Sequence, residues 1–223
     1  MSPDSALAAS LATSSAKRRP IWIFIEILER IASLVALVLM APLLAVVAIV
    51  IVVLSRRPPL VAHLRVGQFG TPLWTLKFRT MWPERVTGLP PAALVERIVD
   101  ESGMDYKSTY DPRVNSSFAR LCRRFSIDEL PQLINVLRGE MSLVAPRPLT
   151  EGELKKYYGF DASLVLIEKP GITGLWQVQG RSRLTYEERR KMDVFLVNNR
   201  SLRLYFTILL RTMAVVLKGA DGW

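Results

Sequence analysis

Two adjacent acids, Asp128 and Glu129, are the residues here best suited to chemistry. An ionised carboxylate can hold a hard divalent cation through oxygen. It can also attack phosphorus to give an acyl-phosphate. The pair falls in the first turn of an expected helix, where the N-terminus favours charged carboxylates, so Asp128 is expected as a ready anion. The same placement also reads as simple capping of the helix dipole. Neighbouring residues on a helix are ~100° apart, so both acids can reach one site from different sides. Arg123 and Arg124 come just before them, and Arg147 lies between Pro146 and Pro148. Two prolines hold that backbone extended, and a guanidinium grips phosphate bidentately. Lys77 and Arg79 alternate with Leu76 and Phe78, so they share a strand face, either the cationic wall of a phosphate site or a solvated edge. The glycine-punctuated run Pro170–Arg181 brings Trp176, Gln177 and Arg181, with the Trp ring either stacking on a ligand or packing.

These residues need elements to hold them. Ser126–Gly139 reads as a well-punctuated helix: Ser126 and Glu129 as a capping box, Pro131 near the first turn, Leu130, Leu133, Ile134 and Leu137 as the apolar stripe, Gly139 as the terminator. Leu60–Val66 and Leu73–Phe78 read as a β-hairpin joined by Gly67–Pro72. Trp82–Gly88 is expected as loop and Pro91–Glu101 as helix. Asp111-Pro112-Arg113 is expected to open a turn, and Phe118–Arg124 to form a short basic amphipathic helix. His63 is expected as a strand residue and Cys122 as core.

Ile31–Leu54 carries no charge over 24 residues, and Ser33 is its only polar side chain. As a helix it is ~36 Å long, enough for a ~30 Å hydrocarbon core. Pro42 sits mid-run and splits it into Ile31–Ala41 and Leu43–Leu54. Basic residues flank both sides: Lys17, Arg18, Arg19 and Arg30 before, Arg56 and Arg57 after. A spanning helix would put one set outside, against the positive-inside bias, whereas a hairpin broken at Ala41–Pro42 keeps both inside. Proline-kinked spanning helices also exist, so the residues alone leave both forms open. Residues 1–19 read as a disordered tail and not a signal peptide, since their basic cluster follows the weakly apolar stretch. Ser201–Lys218 has a wide apolar face with Arg203, Thr207, Arg211 and Lys218 on a stripe, which suits an interfacial helix or a core helix with one solvated edge.

Composition narrows the chemistry further. The 223 residues are 50% hydrophobic and 22% charged, which excludes a disordered chain. One cysteine excludes a disulfide scaffold and a cysteine-built metal site, and one histidine excludes a multi-histidine zinc site. The net charge is +10; residues 1–54 hold four basic against three acidic side chains, so the remainder carries +9. Such a surface suits anions: phosphorylated substrates or anionic lipid. The charge is dispersed and no helix-turn-helix or zinc pattern accompanies it, so nucleic acid is not an expected partner.

Leu76-Lys77-Phe78-Arg79-Thr80-Met81, Asp111-Pro112-Arg113, the block from Ser126 through Pro148, and Gly171 through Arg181 stand in the order seen in bacterial sugar transferases. The chain resembles the monotopic polyprenyl-phosphate phosphoglycosyl transferases from about Ile25 to Lys218. The resemblance implies transfer of a sugar-1-phosphate from a UDP-sugar, glucose or galactose by expectation, to undecaprenyl phosphate, with release of UMP. It implies Mg2+ at the Asp128–Glu129 dyad, Asp128 as nucleophile, and Glu129 placing metal or removing a proton. It implies Arg123 near the lipid phosphate and Arg147 near the nucleotide sugar, with Lys77, Arg79, Gln177 and Arg181 expected as further substrate-binding residues. It also implies an α+β fold packed as one monotopic domain: a re-entrant helix-break-helix over 20–57 bent at Ala41–Pro42, then a catalytic domain over 58–223 with a small β-hairpin and interfacial helices. The expected location is the cytoplasmic face of the bacterial inner membrane. A homodimer stands as a further expectation, and the chain looks like a minimal catalytic form. Departures from the family pattern include Ala41 where Ser is usual, His63 for Gln, Phe125 for a small polar residue, and Asn198–Ser201 followed by Tyr205 and Phe206. A noncatalytic bitopic protein with a basic lipid- or partner-binding domain is the alternative from another class.

Overall fold

The computed structural model describes residues 20–82, 93–99, 114 and 116–219. The expected tail over 1–19, the loop over 83–88 and the Asp111-Pro112-Arg113 turn lie outside the described residues. An apolar helix, α1 (Pro20–Ser55), precedes the hairpin strands β1 (Leu60–Val66) and β2 (Pro72–Phe78). Then come β3 (Val95–Ile98), α2 (Ser117–Arg124), a 3-10 turn (Ile127–Gln132), α3 (Leu133–Leu137) and β4 (Ser142–Val144). The second half holds α4 (Glu151–Glu153) running into a π-helical turn (Leu154–Tyr158), α5 (Asp161–Val165), β5 (Gly171–Thr173), α6 (Leu175–Gln179), α7 (Tyr186–Asn198) and α8 (Leu202–Lys218). This is an α+β fold, as expected.

The hairpin forms as read, with Leu60 opposite Phe78 and Val66 opposite Pro72. The helix expected over Pro91–Glu101 is corrected: Val95–Ile98 pairs parallel with β1. Its β-branched Val95 and Ile98 suit a pleated edge, and the open side of β1 supplies the backbone partners that local periodicity cannot foresee. β2 forms the other edge of the sheet. There Asn135, fully buried, accepts from Leu76 N (3.1 Å) and donates to Trp74 O (2.8 Å), so one side chain does the work of a neighbouring strand.

The helix expected from Ser126 is also corrected. Ser126 is left-handed (φ 54°) and makes no side-chain cap bond, whereas a capping residue needs extended backbone. Residues 127–132 wind as a 3-10 turn before α3 begins, and Gly139 (φ 76°) ends it as expected. The capping boxes that do form are Thr150–Glu153 and Thr185–Glu188.

α1 continues through Pro42 with no interruption, which corrects the expected division into two helices. The ring deletes one hydrogen bond, and the flanking turns keep theirs. The helix is long and apolar enough to cross a membrane. Its two ends both pack on the domain. Ile25 joins a core of Val144, Leu175, Leu196, Tyr205 and Ile208, while Val47 and Ile51 join Phe78 and Cys122. Glu29 is buried and accepts from Ser142 Oγ (2.7 Å), Leu143 N (2.9 Å) and Tyr205 Oη (2.7 Å). Between those ends, Leu34, Val35, Val38, Leu39, Leu43 and Val46 are exposed.

β4 and β5 pair in parallel and lead into the Pro146–Pro148 segment on one side and α6 on the other. The segment lies so close that a Cβ on Gly171 would sit 2.3 Å from Ala145 N and 2.6 Å from Ala145 O. We expect Gly171→Ala to destabilise the protein by roughly 1–3 kcal/mol through this overlap. Thermal unfolding checks it; an unchanged Tm would contradict the close packing.

Candidate active site

The site is built where α2, the 3-10 turn, β2, β4 and α6 converge. The left-handed Ser126 turns the chain sharply after α2, so Asp128 and Glu129 point into the domain, each 7% exposed. Lys77 on β2 donates to Glu129 Oε1 at 2.6 Å, and Arg147 Nη1 stands 4.0 Å from the same oxygen. Arg181 also acts on Glu129, and Arg123 on Asp128. Four cationic side chains thus surround two carboxylates. This excess of positive charge fits a substrate carrying several negative ones.

The two acids behave differently. Burial and the neighbouring Glu129 charge push Asp128 up to about 6, against the opposing pull of Lys77 and Arg123. Glu129 is held below the usual carboxylate range by Lys77, Arg147 and Arg181, which outweigh its burial. The helix N-terminus therefore does not lower Asp128 as expected, although a carboxyl at about 6 is still mostly anionic at neutral pH. Desolvation and a like charge outweigh the short turn's dipole, and Glu129 is the more firmly ionised of the two. Asp128 Oδ1 is buried and has no hydrogen-bond partner among the described residues, so it is the oxygen available to a ligand.

Of the other expected residues, Arg79 is not brought to the pair. Its guanidinium donates to Pro58 O (2.9 Å) and Glu96 (2.7 Å) just beyond the end of β2. Gln177 is buried; its amide nitrogen donates to Ile172 O (2.8 Å), while Oε1 has no partner among the described residues. Arg181 is left-handed (φ 49°) and its Nε donates to Gln177 O at 3.3 Å. Cys122 is core as expected, and burial with the Asp128 charge raises its thiol to about 11, which keeps it inert.

Sequence reasoning missed a second buried cluster behind Arg147. Asp193 on α7 is fully buried and accepts from Tyr158 Oη at 2.7 Å. Trp176, Arg147 and Arg189 also face it, and the Arg189 guanidinium lies 4.7 Å from the Trp176 ring centre. The readable signal is the i, i+4, i+7 set Arg189, Asp193, Leu196: charges on a buried helical stripe require partners. Burial pushes Asp193 up to about 7. A carboxyl raised from its unfolded value near 4 contributes stability that is complete below pH ~4 and lost as the pH rises to about 7. We expect Asp193→Asn to flatten the fall in Tm between pH 4.5 and 7.5; an unchanged slope would contradict the assignment.

A buried carboxylate pair within a ring of cations, on an α+β domain with one long apolar helix, has the charge to suit a multiply negative ligand. The chain belongs to the bacterial sugar transferase family, whose model matches residues 21–219. It is 44% identical over 195 residues to the UDP-galactose-lipid carrier transferase of Erwinia amylovora, covering 84% of this chain and 39% of that protein. It is 41% identical over 166 residues to the undecaprenyl-phosphate galactose phosphotransferase of Salmonella typhimurium, covering 74% of this chain and 34% of the other. The chain thus spans well under half the length of these two relatives. With the exopolysaccharide production protein ExoY of Rhizobium meliloti the identity is 37% over 190 residues, 83% of this chain and 82% of that protein.

Proposed function

We propose that this protein transfers a sugar-1-phosphate, from UDP-galactose or UDP-glucose, to undecaprenyl phosphate and releases UMP. It acts at the cytoplasmic face of the bacterial inner membrane, as a first membrane step of exopolysaccharide assembly. The carrying observation is the unpartnered Asp128 oxygen beside a Glu129 held ionised by Lys77, Arg147 and Arg181.

In this reading an Asp128 carboxylate oxygen bonds to the β-phosphorus of the donor. The bond from that phosphorus to the bridging oxygen breaks, and UMP leaves with the electron pair. An oxygen of the lipid phosphate then attacks the same phosphorus, Asp128 departs as carboxylate, and a lipid diphosphate-sugar results. Arg147 and Arg123 neutralise the non-bridging oxygens as charge builds in each step. The low proton affinity of Glu129 suits it to placing charge more than to removing a proton.

The pair also fits Mg2+. Both are hard oxygen donors, and one Asp128 oxygen is unclaimed. Among the described residues no third acidic or histidine ligand is near, so substrate phosphate and water would complete the shell. When bound, the ion offsets the repulsion between carboxylate and diphosphate.

The membrane reading is a re-entrant α1, bent at Ala41–Pro42 without loss of helix. What supports it is that both ends of α1 contact one domain while the middle is bare, so both ends belong on one side of the bilayer.

The test is UMP release by the full chain in detergent, with a panel of UDP-sugars and undecaprenyl phosphate. A galactose or glucose donor should support release; no release with any donor would overturn the reading. Chelation with EDTA should stop release and added Mg2+ restore it, and full activity in chelator would remove the ion from the account.

A further inference from the structure

One groove opens beside Glu129 that the mechanism above leaves unused. It holds about 180 Å3 and runs between the 3-10 turn and α8. Leu130, Leu133, Ile172, Leu209, Val215 and Val216 form its walls. A bond between Thr173 Oγ1 and Thr212 Oγ1 (2.8 Å) ties its α8 side to β5. Its charged groups, Glu129 and Arg181, meet beside Gln177, and the hydroxyls of Thr173 and Thr212 are spent on each other. A nucleotide or a sugar would leave hydroxyls unpaired against the leucine, isoleucine and valine side chains of these walls, which is unfavourable. An amphiphile with a small anionic head and an apolar tail matches both ends.

α8 places the groove at the right depth. Leu209, Thr212, Val215 and Val216 line its inner side, while Phe206, Leu210, Met213 and Leu217 are exposed on its outer side. A helix with an apolar outer face sits in the lipid interface. The groove therefore lies one helix width, ~10 Å, from the bilayer-facing surface. Its head end can also accept a hydrogen bond from a protonated phosphate. Gln177 is 5% exposed, its nitrogen is committed to Ile172 O, and its unpartnered Oε1 can only accept. A phosphate monoester, with its second pKa near ~6, still carries a donating P–OH part of the time. A phosphodiester headgroup has none.

We propose that this groove seats the phosphate-proximal isoprenoid units of the acceptor, with Gln177 Oε1 and Arg181 at its monophosphate head. The assignment rests on the acceptor reading given above. It makes the α8 inner face a determinant of acceptor recognition.

The test uses the full chain in detergent micelles and a polyprenyl monophosphate with a photoreactive group near its head, the labelled peptides being mapped by mass. Label should fall on Leu130–Leu133 and on the inner face of α8, and undecaprenyl phosphate should compete at least tenfold better than phosphatidylglycerol. Val216→Trp, which fills the groove, should cut labelling and raise the acceptor KM by roughly tenfold, while UMP formed from donor alone in the first turnover persists. Label confined to Phe206, Leu210 and Met213, or equal competition by phosphatidylglycerol, would overturn the groove. The map of the unsubstituted protein stands even if the Trp variant fails to fold. Label in the groove without UMP release would sink the transfer reading alone; UMP release with label elsewhere would sink the groove alone.

Discussion

Asp128→Asn is expected to abolish turnover, with UMP release falling at least ~10³-fold, because the amide cannot form the bond to phosphorus. The shape is conserved, and the side chain is already pushed toward its neutral form, to about 6, so the fold should tolerate the change. Membrane association should persist, since the exposed apolar side chains of α1, such as Leu34, Val38, Leu39 and Val46, do not depend on Asp128. Flotation with liposomes and UMP release separate the two properties. Near-parental release in this variant would remove Asp128 from the chemistry.

Arg147→Lys is the second large effect. Ala145 N donates to Thr173 O (3.0 Å) and Gly171 N to Pro146 O (2.7 Å), so the backbone that carries Arg147 is clamped to β5. Its guanidinium stands between Glu129 and Asp193, 4.0 Å from the former. Lysine keeps the charge but loses the planar fork that holds two phosphate oxygens at once. The expected loss in kcat/KM for the UDP-sugar is roughly 10²-fold, the scale of removing one aimed donor from a transition state. Thermal stability should change little by comparison. A loss within twofold would mean that Arg147 supports the fold and not the substrate.

What local pattern could reveal, and what it could not, follows from the range of the forces involved. The hairpin was readable because turn glycines and alternating strands are local. Gly139 was readable because a helix end there needs a left-handed residue. The 3-10 turn was not, since nothing local says that Ser126 will turn left-handed or that Glu129 will leave its cap for Lys77, 52 residues away. β3 was misread because its partner strand lies 35 residues earlier. Lys77 and Arg79 share a strand face by alternation, yet only Lys77 faces the 3-10 turn; Arg79, just past the strand end, meets Pro58 and Glu96. Asp193 and Glu29 are buried acids on helices, legible as oddities but mute about their partners Tyr158 and Tyr205 until the chain is folded.

Whether the enzyme passes through a bonded phosphosugar can be read by weighing it. The full chain is incubated with the UDP-sugar that supports turnover and no lipid acceptor, then quenched and digested. The peptide containing Asp128 should gain the mass of one sugar phosphate, lose it when undecaprenyl phosphate is added, and never gain it in Asp128→Asn. UMP appearing while that peptide stays unmodified would contradict the account.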